Sequence, residues 1–165
     1  MKKLFTIGYE GAQLADFLAT LARHRVSVVV DVRELPLSRR KGYSKNSLAG
    51  ALATVGILYQ HEKALGAPRD IRHRLRNDGN LASYFRGFDR YLATQAPALE
   101  HVAETCMGNI ALLCFERDYK TCHRSSVARE LGRLADLLPV HLEVGDHGPV
   151  RKAAGVHPRQ GVPAT

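Results

Sequence analysis

The chain has 165 residues, the size of one domain, because a globular domain usually contains about 100–200 residues. Hydrophobic residues make up 45% of the sequence, which is enough to build a buried core without disulfide bonds. The 24 lysines and arginines exceed the 16 aspartates and glutamates and give a formal net charge of +8. This excess favours an anionic partner, such as a nucleotide or a nucleic acid.

The cysteines and the apolar segments indicate where the protein works. Cys106, Cys114 and Cys122 are odd in number and form no C-x-x-C pair, so neither a disulfide framework nor a structural zinc site is indicated. No apolar run has the roughly 18 residues of a membrane span, and Met1–Gly8 lacks the apolar core of a signal peptide. We therefore expect a cytoplasmic protein with no membrane partner, of an oligomeric state that the sequence does not specify.

Predicted strands and helices alternate along the first half of the chain. Lys3–Ile7 is predicted to be a strand, and apolar residues at i, i+3, i+4 and i+7 predict a helix over Leu14–Ala22. The run Val26–Val32 is β-branched and apolar on both faces, which is typical of a central parallel strand. A polar loop, Arg33–Ser47, leads to a second helix that is marked by apolar residues over Leu48–Val55.

The middle of the chain is less regular. Ile57–Tyr59 is predicted to be a short third strand, and His61–Asn80 is predicted to be a charged insertion rich in arginine. Beyond it, aromatic residues at helical spacing predict a helix that runs from Leu81 toward Pro97. Aromatic residues in such a pattern usually form core.

The last third of the chain completes the predicted sheet. Ile110–Phe115 is predicted to be the fourth strand, Cys122–Leu138 the last helix and Val140–Val144 the last strand. The alternation predicts an α/β fold, a three-layer sandwich in which a mainly parallel sheet of about five strands is flanked by helices. We predict that residues 1–145 form a single domain and that residues 146–165, rich in glycine and proline, form a mobile tail.

Three polar segments follow predicted strands. They are Gly8–Gly11, Asp31–Lys45 and Glu116–Arg124. Because ligands of parallel α/β sheets bind outside the carboxyl ends of the strands, we expect the three segments to converge. The expected site is an electropositive hollow that contains two acids, Asp31 and Glu116.

Each of these two acids has a chemical interpretation. An aspartate at the end of a buried strand must be paired, because an isolated buried carboxylate is costly. Asp31 therefore either fixes the adjacent loop or is an active-site carboxylate that Arg33 orients. Glu116 follows the fourth strand and is the second candidate. Two carboxylates in different environments can hold opposite protonation states, as the hydrolysis of a glycosidic bond requires.

The loop from Arg33 to Lys45 carries five positive charges. At the mouth of a parallel sheet, this density predicts phosphate recognition, with arginine binding two oxygens at once. The alternative is a solvated basic loop. The candidate residues for binding the substrate or an anion are Tyr9, Arg33, Ser38, Arg39, Ser44, Lys45 and Arg124.

Cys122 lies in the first turn of the predicted last helix, beside His123 and Arg124. The helix dipole and the positive charge would stabilise its thiolate, so Cys122 is a candidate nucleophile. The alternative is a passive residue that caps the helix, while Cys106 and Cys114 are predicted to be packing residues. The candidate catalytic residues are therefore Asp31, Glu116, Cys122 and His123.

Taken together, these motifs resemble those of the DUF488 family, small bacterial and archaeal proteins named for their unknown function. The resemblance covers about residues 4–144. The motifs that carry it are Thr6–Gly11, Asp31–Arg33, Pro36 with Ser38–Arg39, Gly42–Lys45, Gly56–Ile57 with Tyr59, Leu65–Gly66, Leu112–Glu116 and Cys122–Arg124. The resemblance implies an α/β sandwich and does not supply a reaction. The polar residues that it marks as the family's signature are Asp31, Arg33, Ser38, Arg39, Ser44, Lys45, Glu116, Cys122, His123 and Arg124.

The sequence favours an enzyme that acts on a phosphate-bearing ligand, a nucleotide or a nucleic acid, with hydrolysis as the working hypothesis. Two alternatives remain: a nucleic-acid-binding protein without catalytic activity, and a thiol-dependent enzyme that uses Cys122. Asp31, Glu116 and His123 lack the spacing of metal ligands, so we predict neither a metal nor a cofactor.

Overall fold

The computed structural model describes residues 2–145, so the predicted tail, residues 146–165, lies outside the described residues. Within residues 2–145, five strands form one sheet: β1 (Leu4–Gly8), β2 (Val26–Asp31), β3 (Leu58–His61), β4 (Asn109–Cys114) and β5 (Val140–Leu142). The strand order is β3-β2-β4-β1-β5, and every pair is parallel. The predicted parallel sheet of about five strands is confirmed.

Helices cover both faces of this sheet. They are α1 (Leu14–Arg23), α2 (Lys45–Ala53), α3 (Arg69–Asp78), α4 (Leu81–Leu92), α5 (Ala96–Thr105) and α6 (Arg124–Ala135). One apolar core lies under α1 and α2, and a second lies under α4, α5 and α6. None of the described helices is long and apolar enough to cross a membrane.

Alternation along β4 shows how one strand supplies both cores. Ile110, Leu112 and Cys114 join the core under α4–α6, whereas Ala111 and Leu113 join the core under α1 and α2. All five are buried, because a central parallel strand is covered on both faces. The three-layer sandwich is therefore built as the sequence predicts.

The register brings three strand ends to one edge of the sheet. Gly8 at the end of β1 lies opposite Cys114, and Asp31 at the end of β2 lies opposite Leu113. The chain leaves β1 and β2 toward the α1–α2 face but leaves β4 toward α6 on the other face. This divergence opens a crevice at the carboxyl edge of the sheet, where α/β proteins bind ligands.

The segment His61–Asn80, for which the sequence predicts only a charged insertion rich in arginine, has regular secondary structure. That segment contains the end of β3, a 3-10 helix over Lys63–Leu65 and all of α3. Only Ile71 and Leu75 of α3 pack against the core, so the apolar stripe is too narrow to stand out in the sequence. Gly79 ends α3 in the left-handed conformation, with φ of 65°, as helix C-terminal glycines usually do.

Two helix boundaries also differ from the predictions. α4 ends at Leu92, and Pro97 lies in the first turn of a separate helix, α5, because proline is tolerated where backbone N–H groups have no partner. α6 begins at Arg124, so Cys122 precedes the helix instead of lying in its first turn. The helix ends at Ala135, before Asp136 in a left-handed conformation with φ of 58°.

Candidate functional site

A cavity of about 820 Å³ opens at the carboxyl edge of the sheet. Its walls come from the segments after β1, β2 and β4, with α3 and Tyr84 of α4 closing one side. The lining residues that carry charge are Glu10, Arg33, Glu34, Arg39, Arg40, Arg72, Arg76 and Glu116. The three segments predicted to converge therefore do so, and arginines outnumber carboxylates in the walls.

Asp31 and Arg33 form a buried ion pair beneath this cavity. Arg33 Nε donates to Asp31 Oδ1 at 2.9 Å, and Arg33 Nη2 donates to Oδ2 at 2.7 Å. Tyr59 donates its hydroxyl to Oδ2 at 2.5 Å, and Arg33 Nη1 donates to the hydroxyl of Tyr9 at 3.0 Å. Burial opposes the charged guanidinium, yet Asp31 and Tyr9 raise the pKa of Arg33 above its usual range.

This pairing fixes what Asp31 can do. Both carboxylate oxygens are occupied, the side chain is fully buried, and Asp31 does not line the cavity. Burial and the hydrogen bond to Asp31 also raise the pKa of Tyr59. Asp31 therefore holds Arg33, which lines the cavity, through its carboxylate.

Of the two predicted acids, Glu116 is the one that lines the cavity. The Cys114 thiol donates to its Oε1 at 3.6 Å, and no lysine or arginine of residues 2–145 forms an ion pair with it. The two predicted acids thus differ: Asp31 is buried and paired, whereas Glu116 is half-buried and free to meet a ligand.

Two arginines of the cavity are free to bind an anion. Arg39 and Arg76 are exposed, and no hydrogen bond or ion pair engages either guanidinium within the described part of the chain. By contrast, Arg72 donates to Glu34 at 2.5 Å, and Arg40 donates to the carbonyl of Ala12. Arg39 is therefore the predicted anion contact that the geometry favours most, and Arg76 is a second free guanidinium in the same lining.

Aromatic rings form part of the cavity floor. Tyr9 is stacked on Tyr43 with ring centres 4.4 Å apart, and Phe115 meets Tyr9 edge-on at 5.3 Å. Tyr43 in turn donates its hydroxyl to the carbonyl of Ala12 at 3.1 Å, and burial raises its pKa to about 12. Tyr9 is held almost completely buried, whereas 40% of the Phe115 surface is exposed and available to a ligand.

Arg124 does not contact the cavity, in contrast to the prediction that it binds an anion. It is fully buried, donates from Nε to Thr6 Oγ1 at 3.1 Å, and donates from Nη1 and Nη2 to the carbonyls of Glu116 and Arg117. Its charge thus fixes the loop that carries Glu116. Three of the five N–H donors of its guanidinium are thus used inside the fold.

Of the two serines and the lysine predicted as anion contacts in the basic loop, only Ser38 lines the cavity. Ser38 lines the cavity and accepts from the backbone of Arg40 at 3.0 Å. Ser44 Oγ accepts from the Ser38 N–H at 3.1 Å and donates to the Ser38 carbonyl at 3.2 Å, which holds the loop closed. Lys45 is exposed at the start of α2 and does not line the cavity.

The environment of Cys122 opposes a role as nucleophile. Only 1% of its surface is exposed, and it does not line the cavity. Burial raises the pKa of the Cys122 thiol well above its usual value, and the thiol form is a poor nucleophile. His123 reaches the cavity wall, and its Nε2 lies 2.7 Å from the carbonyl oxygen of Val32.

Sequence reasoning missed three groups of cavity residues. Arg72 and Arg76 lie on α3, in the segment for which the sequence predicts only a charged insertion, and Tyr84 is predicted to belong to the core. Cys114 was predicted to be packing, yet it stands at the cavity wall. The one available signal was the spacing of Arg69, Arg72 and Arg76, which recur at i, i+3 and i+7 and would share one face of a helix.

Comparison with known proteins gives one positive finding. The family model described as a domain of unknown function, DUF488, matches residues 13–131. Neither the curated proteins nor the solved structures contain a significant match to this chain. Because the matched range covers more than half of its residues, the chain belongs to the DUF488 family.

Proposed function

We propose that this protein is an enzyme that hydrolyses a phosphate-bearing ligand of the nucleotide or nucleic-acid class, bound in the cavity at the carboxyl edge of the sheet. The observation that carries the proposal is that Arg39 and Arg76, whose guanidinium groups have no partner among residues 2–145, line one cavity with Glu116, which has no lysine or arginine partner there. Arg39 and Arg76 supply the positive charge, and Glu116 supplies the carboxylate. A size of about 820 Å³ suits a ligand as large as a nucleotide.

Arg39 and Arg76 are the proposed phosphate contacts. Arginine binds phosphate through two parallel N–H donors, and it keeps its charge at every physiological pH. Arg33 also lines the cavity, but its charge is already balanced by Asp31, so its proposed role is to shape the wall. Phe115 offers an exposed ring face on which a base can stack.

Glu116 is the proposed acid–base group. It faces the cavity without a cationic partner, so it can accept a proton from an attacking water and return that proton to the leaving group. Its loop is held by the buried Arg124 through the Glu116 carbonyl. The carboxylate is thus anchored by its own backbone while its oxygens stay available to the ligand.

A ligand screen tests the binding part of the proposal. We expect adenosine monophosphate, ribose 5-phosphate or a short oligonucleotide to raise the melting temperature of the protein, because a ligand that binds only the folded state stabilises it. The double variant Arg39→Ala/Arg76→Ala should lose this shift. Lys45→Ala removes an exposed cation outside the cavity and should keep it; a shift lost equally in both variants would contradict the assignment.

A second experiment tests catalysis with the ligand that the screen identifies. Glu116→Gln should lower the turnover rate by about 10²–10⁴-fold, the usual contribution of a general acid or base, and leave the ligand-dependent shift intact. Glu104→Gln, an exposed position on α5, is the matched control and should be fully active. Binding without any turnover by the native protein would favour the non-enzymatic nucleic-acid-binding alternative.

A further inference from the structure

Three side chains that can ligate a metal meet beside the cavity. Cys114 Sγ, Cys122 Sγ and His123 Nδ1 lie within 4.8 Å of one another. Cys114 ends β4, whereas Cys122 and His123 join the second 3-10 helix (Tyr119–Thr121) to α6. We propose that these three residues bind one Zn²⁺ ion, with the fourth coordination position directed toward the cavity.

The distances are close to those of a zinc tetrahedron. Zinc–sulfur bonds of about 2.3 Å and zinc–nitrogen bonds of about 2.0–2.1 Å place sulfur and nitrogen about 3.6 Å apart across a tetrahedral angle. Cys114 Sγ and His123 Nδ1 are 3.8 Å apart. The cluster can therefore close on the ion by small side-chain rotations, without movement of the sheet.

The hydrogen bond of His123 prepares its ring for a metal. Nε2 lies 2.7 Å from the carbonyl oxygen of Val32, and because a carbonyl only accepts, Nε2 must carry the proton. In the neutral ring, Nδ1 then holds the lone pair and faces Cys114. Metal-binding histidines are oriented in the same way, by donating their other ring N–H to a carbonyl or a carboxylate.

The sulfur atoms are also suitably placed. The Arg124 backbone N–H donates to Cys122 Sγ at 3.5 Å, and such a bond supports a sulfur that carries negative charge. The exposed surface of Cys114, Cys122 and His123 is at most 5% of each residue. Two thiolates balance the two charges of zinc, so the ion would add no net charge to this buried place.

The chemistry of the three ligand atoms indicates which metal would bind, and the open position toward the cavity indicates which type of zinc site it would be. Two sulfurs and one imidazole favour zinc over magnesium or calcium, which prefer oxygen. Three protein ligands with one open position are typical of catalytic zinc sites. Cys114 and His123 line the cavity together with Glu116, so a water bound to the open position would face that carboxylate.

Metal content tests the proposal directly, in the full chain purified under reducing conditions without chelators. We expect about one zinc per chain by elemental analysis. Replacement with Co²⁺ should give the intense visible bands of a tetrahedral site and a sulfur-to-cobalt charge-transfer band in the near ultraviolet. A native protein that takes up neither ion, or that gives cobalt bands of octahedral oxygen coordination, would overturn the proposal.

Variants assign the ligands. Cys122→Ser and His123→Gln should each lose the bound zinc. Cys106→Ser should keep the zinc and the cobalt charge-transfer band, because Cys106 is buried outside the cluster against Gln60. Zinc retained in both ligand variants would place the ion elsewhere and refute the assignment. Metal content is measured without an activity assay, and Arg39→Ala/Arg76→Ala should keep its zinc. The zinc proposal and the proposed function can therefore fail independently of each other.

Discussion

The ion pair of Asp31 and Arg33 shows how a buried charge can serve a site without entering it. Asp31 is fully buried, and it meets Arg33 through two side-chain hydrogen bonds and Tyr59 through a third. Arg33, held in this way, lines the cavity and donates a hydrogen bond to the hydroxyl of Tyr9. At the scale of one residue, Asp31 is therefore a positioning group whose loss is felt first in stability.

We expect Asp31→Asn to destabilise the protein by about 3–5 kcal/mol, because it leaves the Arg33 guanidinium buried without a counter-charge. Chemical denaturation of the purified variant measures this free energy of unfolding. Asp70→Asn removes an exposed carboxylate in the first turn of α3 and should cost at most about 1 kcal/mol. Equal stabilities of the two variants would show that the buried pair is not what holds the loop.

At the scale of elements, the end of β1 approaches the loop after β4 more closely than a side chain allows. A Cβ atom added at Gly8 would overlap the carbonyl group of Glu116 and would lie 3.1 Å from Arg124 Nη1. Glu10 donates its backbone N–H to the Phe115 carbonyl at 2.9 Å across the same gap. Glycine at the end of β1 is thus required by packing, and the contact places Glu116 at the cavity.

Gly8→Ala should therefore lower the stability by about 1–3 kcal/mol or more, because the clash is with backbone and cannot be relieved by a rotamer change. Gly50→Ala is the matched control. Gly50 lies inside α2 with nothing within 4 Å of an added Cβ, so alanine there should stabilise the helix by about 0.5–1 kcal/mol. Thermal or denaturant unfolding of both variants measures the two effects; a stabilised Gly8→Ala protein would disprove the close approach.

Periodicity predicted the elements that bury much apolar surface and missed those that bury little. β2 and β4 were predictable because their apolar runs are covered on both faces. α3 was not, because ten mostly charged residues give it no fully buried side chain. α5 has no prediction of its own, because the aromatic pattern predicts one helix running toward Pro97, whereas Pro97 lies in the first turn of the separate helix α5.

At the scale of the whole molecule, the sequence predicted where the candidate site lies better than which side chains form it. Parallel topology dictates that segments after strands converge, and Arg33, Arg39 and Glu116 line one cavity. Which charged side chain turns inward depends on partners that are distant in sequence: Arg124 is bound by Thr6, 118 positions away. The sequence did not predict the cysteine–histidine cluster for the same reason: its residues come from the end of β4 and the start of α6, and only the fold brings them together.

With a net charge of +8, the protein could bind a polyanion through the cavity alone or through a broad basic surface. The salt dependence of binding separates the two, because it reports the number of phosphates contacted. If only Arg39 and Arg76 contact phosphates, binding of a short single-stranded oligonucleotide should fall with salt with a log–log slope of about −1.4, since each phosphate contributes about −0.7. Fluorescence anisotropy at several salt concentrations gives this slope. Arg39→Ala/Arg76→Ala should bring it close to zero, whereas Lys45→Ala should leave it unchanged. A slope at least twice as steep, unaffected by the double variant, would mean that a broad basic surface binds the strand and that the cavity does not select it.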